Sequence, residues 1–393
     1  MNSKKLKFLP DFSPRSLRLI LVFVIFAGLL SFLLVFSKNA ETYIKKLEQG
    51  MGLEIKRIGH RGPVLAKGIY VSGWTASEPK MMEELINLID QTELNAIILD
   101  IKDSSGKITY NSKISQVEKL GTKEIKIRDL GGLVRKLHLR KIYIIARIPI
   151  FQDSILAQKN PALALKNGQN GQIWKDNKGL SWVDPASEEV WAYNIELAKE
   201  VFAQGFDEVN FDYIRFPSDG KISNITYPFW DNKIPKNEVI KKFFEYQNKE
   251  LVNFGPTSVD LFGMTFWHTA DDSDMNIGQR LEDALPYFDF ICPMLYPSHF
   301  PDNFNGFKNP AEHPYEIIFQ SLKSAEPLFI NSEGKRIAKP KIRPWIQAFD
   351  IGAKYTPDMI LKQKQAVTDG EGYGWLLWNA SNNYSKIESA LKE

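Results

Sequence analysis

The sequence predicts a (β/α)8 TIM barrel preceded by an N-terminal transmembrane helix. Two observations support this fold class: an uncharged apolar run lies near the N-terminus, and short β-rich apolar runs alternate with helix-like segments from residue 67 onward. The chain has 393 residues and is 44% hydrophobic, which is enough for one large single-cored domain. We therefore expect residues 67–393 to form one barrel domain.

Eight strand-like runs occur in this region, which favours a closed barrel. They are GIYVSGW (68–74), NAIILDIKD (95–103), KIYIIARIPIF (141–151), EVNFDYIRFP (208–217), DLFGMTFW (260–267), FDFICPMLYPS (288–298), IRPWIQAFD (342–350) and GYGWLLWNAS (372–381). Helical spacing of apolar residues predicts helices at 81–94, 187–205 and 237–255, and 385–393 would be the eighth helix. An open doubly wound sheet would usually show a glycine-rich phosphate turn, which is not found.

The N-terminal segment predicts a membrane anchor. Residues 19–37 contain an uncharged apolar run, and basic residues in the tail 1–18 place that tail in the cytoplasm by the positive-inside rule. A cleaved signal peptide is the alternative, but Lys38 occupies the −3 position relative to Ala40, where a small residue is preferred. We expect a single-pass cell-membrane protein with a charged stalk at 38–66 and an extracytoplasmic barrel.

Composition excludes several function classes. The formal net charge is only +3, which does not favour nucleic-acid binding. Cys292 is the single cysteine, so neither an intrachain disulfide nor a cysteine metal site is predicted. The sequence contains no HExxH, Walker or G-x-S-x-G motif, and we predict no metal and no organic cofactor.

The fourth run, EVNFDYIRFP, carries the most informative charge. Alternation along a strand places Asn210 and Asp212 on one face, and active sites of barrels lie at the carboxyl ends of the strands. A charge facing a barrel interior is costly unless it is paired or functional. The structural alternative is an ion pair of Asp212 with Arg215 or Arg147. The functional interpretation is a nucleophile, or a carboxylate that stabilises an oxocarbenium-like transition state.

The segment GFDEVNFDYIRFP resembles the strand-4 signature of TIM-barrel glycosidases. It is most similar to a family of glycoside-hydrolase domains typified by NFDYIRFP, ILDIKD, PMLYPSH, RPWIQAF and WLLWNAS, and the resemblance covers residues 67–384. It implies a barrel with glycosidase activity. In amylase-like barrels the strand-4 aspartate is the nucleophile, and Asp212 matches it. A chitinase mechanism is not favoured, because Asn210 replaces an acid and Ile214 occupies the position of the catalytic glutamate.

Hydrolysis of a glycoside normally needs a second carboxyl as proton donor. In amylase-like barrels the acid follows strand 5, where this sequence has HTADDSDMNIGQ, and DMNIGQ resembles the family's pattern. We therefore predict Asp274 as the acid, with Asp103 and Asp272 as alternatives. A solvated turn or helix cap would also explain this acidic loop. A calcium loop is disfavoured by the ligand spacing.

Polar and aromatic residues at the other strand ends are expected to bind the sugar. Arginine and amide side chains recognise carboxylates and hydroxyls, and aromatic rings stack on pyranose faces. These predicted substrate-binding residues are Asp100, Arg147, Arg215, Tyr296, His299, Trp345, Gln347, Trp378 and Asn379.

Together these features predict a membrane-anchored glycoside hydrolase or transglycosidase that acts on an oligosaccharide or polysaccharide. The alternative is a catalytically inactive carbohydrate-binding or scaffold barrel at the cell surface. The two interpretations differ in whether a competent pair of carboxyls lies at the barrel mouth.

Overall fold

The computed structural model describes residues 64–269, 273–329 and 341–392, and within them eight parallel strands close into a barrel. In chain order the strands are β1 (Ala66–Val71), β2 (Ala96–Asp100), β3 (Tyr143–Pro149), β4 (Glu208–Asp212), β5 (Thr257–Phe262), β6 (Phe290–Met294), β7 (Lys341–Ile342 and Trp345–Gln347) and β8 (Gly374–Trp378). Each strand pairs in parallel with the next, and β8 pairs with β1. The predicted barrel is therefore confirmed.

Strand β7 has two segments because Pro344 interrupts it. Proline has no N–H to donate to a sheet ladder. The N–H of Arg343 still donates to the carbonyl of Ile291 at 2.8 Å, and the carbonyl of Pro344 accepts from the N–H of Leu376 at 2.9 Å. The strand thus keeps its place between β6 and β8 across the interruption.

Helices cover the outside of the barrel. They are α1 (Pro79–Asp90), α2 (Leu130–Leu139), α3 (Glu188–Ala203), α4 (Lys236–Leu251), α5 (Leu281–Ala284), α6 (Pro314–Ser324) and α7 (Pro357–Asp369). Short helices at Gly73–Ser77, Ser115–Leu120 and Ser154–Lys159 lie in loops. Two small sheets also lie in loops: Ile108–Tyr110 with Lys123–Ile127, and Lys166–Asn167 with Ile225–Thr226.

Local sequence explains the helix limits. Helix α3 begins where the Ser187 hydroxyl accepts from the N–H of Val190, and it ends before Gly205, whose φ is +99°. Helix α1 buries Met82, Leu85, Ile86 and Ile89 on one face, as the helical spacing predicted. The predicted eighth helix is a 3-10 helix, Ser385–Ala390.

Strand β5 begins three residues earlier and ends five residues earlier than predicted. The sequence indicated a strand at 260–267, whereas the strand is Thr257–Phe262 and residues Gly263–Phe266 form a 3-10 turn. The polar residues Thr257 and Ser258 hid the start of the strand, because they are buried inside the barrel wall rather than in a loop.

Two layers of buried side chains stabilise the domain. One lies between the strands and the helices, and a smaller cluster that includes Ile98, Ile145 and Phe290 fills the barrel interior. In the described part of the chain, no helix has the length and apolar character needed to span a bilayer. The predicted tail 1–18, the anchor 19–37 and residues 38–63 of the predicted stalk lie outside the described residues.

Candidate active site at the barrel rim

The inward face of β4 carries three polar residues in succession: Glu208, Asn210 and Asp212. Val209 and Phe211 belong instead to the core between strands and helices. This alternation follows from the two-residue period of a strand. Glu208 lies deepest, and Asp212 ends the strand at the rim, where barrel active sites are found.

Arg147 on β3 is the centre of the charged group at the rim. Its Nη1 donates to Asp100 at 2.7 Å, its Nη2 donates to Asp212, and its Nε lies 3.9 Å from Oδ2 of Asp260. Burial alone would lower the pKa of Arg147, but the charges of Asp100 and Asp212 outweigh it and raise that pKa. One guanidinium therefore serves three carboxyl groups, which we call the rim cluster (Asp100, Arg147, Asp212 and Asp260).

Asp212 receives two donors. Besides Arg147, the backbone N–H of Tyr213 donates to its Oδ1 at 2.6 Å. Tyr213 has φ +54°, a left-handed conformation that is uncommon for a bulky side chain and that often marks functional sites. The Asp212 side chain keeps 9% exposure, against 2% for Asp260, so it is the more accessible of the two.

Asp260 on β5 is the least exposed carboxyl of the rim cluster. Its Oδ1 accepts from Asn210 Nδ2 at 2.9 Å and from Trp345 Nε1 at 2.7 Å. Burial, and then the nearby charge of Asp212, raise the pKa of Asp260 well above its usual value. Two carboxyls whose surroundings separate their roles in this way are typical of acid–base sites.

Asp100 on β2 completes the rim cluster. The hydroxyl of Tyr70 donates to its Oδ2 at 2.6 Å. Burial raises the pKa of Asp100, and the charge of Arg147 and the Tyr70 hydrogen bond offset this only in part. The side chain of Asp100 thus helps to fix the orientation of the arginine that holds Asp212.

Aromatic rings border the rim cluster. Trp378 lies 4.1 Å from Tyr70 between ring centroids, and the guanidinium of Arg147 lies 5.1 Å from the Trp378 ring. Trp345 contacts Trp378 edge to face, with centroids 5.5 Å apart. Trp345 is buried, whereas Trp378 is half-buried and lines a cavity. Trp378 is therefore the ring of this pair that a sugar can reach.

Two cavities meet at His299. One, of about 370 Å³, is lined by Tyr213, Arg215 and Tyr296, and the other, of about 520 Å³, by Trp378 and Asn379. His299 lines both, and burial lowers its pKa. Among the described residues, no group of three or more His, Cys, Asp or Glu side chains is arranged to hold a metal ion.

The family of the chain follows from its similarity to known proteins. The family model described as "Putative glycosyl hydrolase domain" matches residues 68–384. The chain belongs to this glycosyl hydrolase family. No curated protein matches the sequence.

Several solved structures are similar to this glycosyl hydrolase. The glycoside hydrolase domain of PgaB (BpsB) from Bordetella bronchiseptica is 14% identical, with TM-score 0.58 over 84% of this chain and 99% of that one. Chitobiase from Flavobacterium johnsoniae is 11% identical, with TM-score 0.50 over 83% and 48%. A hypothetical protein from Ruminiclostridium thermocellum is 35% identical over 49% of this chain and 96% of that one, with TM-score 0.45.

The hydrolase brings together five of the residues singled out from the sequence, namely Asp100, Arg147, Asp212, Trp345 and Trp378. A structural ion pair was the alternative role that the sequence allowed for Asp212, and the structure contains such a pair, with Arg147. That pair is not self-contained, however, because the same guanidinium also faces two further carboxyls. Asp212 is therefore not neutralised by a partner of its own.

Both predicted proton donors that the structure describes have local roles elsewhere. Asp103 accepts from Ser105 and Lys107 in a turn and pairs with Lys126 at 3.1 Å. Asp274 accepts from the N–H of Asn276 at 2.8 Å in another turn. Neither has a contact with Arg147 or Asp212 among the described residues. Asp272 lies outside those residues.

The two predicted amides bind loops of the rim. Gln347 accepts from the N–H of Ser298 at 3.1 Å and donates to the carbonyl of Phe349 at 2.9 Å. Asn379 donates to the carbonyls of Ala348 and Asn383, both at 2.8 Å. These contacts shape the cavities around His299.

Sequence reasoning missed Asp260. The predicted fifth strand began at Asp260, which placed this residue at the end of the barrel opposite the active-site rim. The signal that could have found it is the alternation in Thr257–Phe262, which places Ser258, Asp260 and Phe262 on one face once the strand is positioned correctly.

Proposed function

We propose that this glycosyl hydrolase cleaves a polysaccharide with two carboxyls, Asp212 as the nucleophile or charge stabiliser and Asp260 as the proton donor. The observation that carries the proposal is the contact of both groups with one guanidinium, combined with the raised pKa of Asp260. Asp260 thereby replaces Asp274 and Asp103 as the proposed acid.

The proposed reaction uses these groups as follows. Asp260 gives its proton to the oxygen of the scissile glycosidic bond, and the bond between that oxygen and the anomeric carbon breaks. Positive charge develops at the anomeric carbon, where Asp212 attacks or stabilises it. Water then adds to that carbon. If Asp212 has formed a covalent bond to it, that bond breaks and the carboxylate of Asp212 is released. The proton that the water gives up restores Asp260 to its acid form. Arg147 and the N–H of Tyr213 hold Asp212 throughout.

The polymeric substrate is supported by the two cavities. They lie on either side of His299, so several sugar units can be held on both sides of the rim. Trp378 offers an aromatic face in one cavity and the half-buried Tyr213 offers one in the other.

The decisive experiment is Asp212→Asn assayed for reducing-end release on a panel of polysaccharides that the wild type cleaves. We expect activity to fall by about 10³-fold or more, because the amide cannot stabilise the developing positive charge. Circular dichroism and the melting temperature serve as folding controls. Hydrolysis at the wild-type rate would contradict the assignment of Asp212.

A carbohydrate-binding barrel without catalysis is the second candidate. The 2% exposure of the Asp260 side chain favours it, because a proton donor must reach the substrate. In that case no polysaccharide would be cleaved, and Asp212→Asn would change affinity alone.

We also propose that residues 19–37 anchor the barrel to the cell membrane, with the barrel outside the cytoplasm. The support is the uncharged apolar run and the basic residues before it. The test is fractionation of cells that express the full chain, followed by protease treatment of intact cells. Barrel fragments protected from protease, or a chain found only in the soluble fraction, would contradict the anchor.

A further inference from the structure

Arg215 differs from the other buried arginines of the described residues in having no carboxylate partner. Arg147 forms an ion pair with Asp212, and Arg343 forms one with Glu208. Arg215 is 7% exposed, and its Nη1 donates only to the carbonyl of Phe216 at 3.1 Å and the hydroxyl of Ser218 at 3.0 Å. The charges of Asp212, Asp219 and Asp176 act on Arg215 only from beyond ion-pair distance. A buried cation that lacks a direct counter-ion is costly, and the anion of a ligand would supply that contact.

Aromatic rings hold the guanidinium of Arg215 in place. It lies 4.9 Å from the ring centroid of Trp182, 5.3 Å from Tyr213 and 4.7 Å from Phe262. Ring faces attract a cation but do not neutralise it. The packing therefore fixes the orientation of a charge that stays available to an anion.

The cavity of about 370 Å³ beside Arg215 is enriched in positive charge. Lys178, an exposed residue, also lines it and has no ion-pair partner among the described residues. Asp219 is the acidic residue lining this cavity, and its Oδ1 accepts from the N–H of Asn177 at 3.0 Å. Two cations and one carboxylate thus line the cavity. Tyr213 also lines it, and its backbone N–H donates to Asp212.

We infer that this cavity is an anion subsite for a carboxylate on the sugar next to the cleaved bond, so that the substrate is an acidic polysaccharide. The inference rests on the proposed function, because it places the subsite beside Asp212. The planar fork of a guanidinium matches a carboxylate with two parallel hydrogen bonds, which favours uronic acids over neutral sugars.

The experiment measures binding of the full chain to matched polysaccharides: polygalacturonate, alginate, their methyl-esterified forms, neutral galactan and a poly(glycerol phosphate). We expect binding to at least one uronate polymer and at least 10-fold weaker binding to its neutral ester. Arg215→Gln should weaken uronate binding by about 30-fold or more, since it removes a buried charge from an ionic contact. Arg215→Lys should recover part of the loss.

Exposed Lys178 and half-buried Asp219 supply milder variants than Arg215. Lys178→Gln should weaken uronate binding by about 2- to 5-fold, and Asp219→Asn should strengthen it by a similar factor. The matched control is Lys175→Gln, which removes an exposed charge from the same segment outside the cavity and should change binding by less than about 2-fold.

The outcomes separate this inference from the proposed function. Failure to bind any uronate polymer overturns the subsite, and so do equal effects of Lys178→Gln and Lys175→Gln. Binding of the phosphate polymer alone overturns the carboxylate assignment. Hydrolysis of a neutral polysaccharide that needs Asp212 but tolerates Arg215→Gln overturns the subsite while the hydrolase function stands.

Discussion

The barrel interior contains two ionic groups at different depths, and they differ in charge balance. In the deep pair Arg343 donates to both carboxylate oxygens of Glu208, and both side chains have 0% exposure. At the rim one arginine faces three carboxyl groups, of which Asp212 is the most exposed at 9%. A sealed and balanced pair is structural, whereas an excess of acid at an accessible rim leaves groups available for chemistry.

Hydrogen bonds connect the two groups. Ser258 donates to Glu208 at 2.5 Å, and Asn210 donates both to Ser258 at 3.1 Å and to Asp260 at 2.9 Å. The deep pair therefore supports the position of the proposed acid through two neutral side chains. If the two groups have separate roles, substitutions should divide into those that affect activity and those that affect stability.

The largest expected effect is on activity. Asp260→Asn keeps an oxygen that can accept from Asn210 and Trp345 but removes the proton that the acid would give. We expect the hydrolysis rate to fall by about 10²- to 10⁴-fold, while the free energy of unfolding at about pH 4, where Asp260 is protonated in the folded state, changes by less than about 1 kcal/mol. Steady-state kinetics and urea unfolding measure the two quantities. A large loss of stability with intact activity would make Asp260 structural.

The next effect is on stability. Arg343→Met leaves Glu208 buried without its cation, and we expect a loss of about 3–5 kcal/mol in the free energy of unfolding. The control is the double variant Glu208→Met with Arg343→Met, which removes both charges and should be less destabilised than the single variant. A single variant as stable as the wild type would contradict a structural role for the deep pair.

Ser258→Ala tests the connection between the two groups. It removes a hydrogen bond to a buried carboxylate, and we expect a loss of about 1–3 kcal/mol in stability. Because Asp260 keeps its bonds to Asn210 and Trp345, the hydrolysis rate should fall by less than about 10-fold. A fall comparable to that of Asp260→Asn would show that the deep pair and the rim cluster act as one unit.

The barrel and some of the residues at its rim could be predicted from the sequence. Apolar runs at regular intervals indicate strands whatever their exact register, so the eight strands and the position of Asp212 could be predicted. Asp260 could not, because the polar start of its strand looks like a loop in the sequence: the Ser258 hydroxyl is buried through its bond to Glu208 on β4, 50 residues away. The bidentate pair of Glu208 and Arg343 joins residues 135 positions apart and has no local signature.

The smallest expected effect is on the pH dependence of stability. A carboxyl whose pKa is higher in the folded state than in the unfolded state binds more protons when folded, so its contribution to stability is full below the unfolded pKa, about 3.9, and decreases as the pH rises through the folded pKa. Asp260→Asn removes this contribution. Above about pH 4 the variant should therefore lose less stability per pH unit than the wild type, by at most about 1.4 kcal/mol per unit for one proton.

Urea unfolding at a series of pH values measures this difference, with Asp274→Asn as the control, since Asp274 lies in a turn away from the rim cluster. Parallel stability curves for Asp260→Asn and the wild type would mean that Asp260 binds no extra proton on folding. That result would remove the distinction between a rim that holds a transferable proton and a deep pair that does not, and with it the reason for assigning the acid to Asp260.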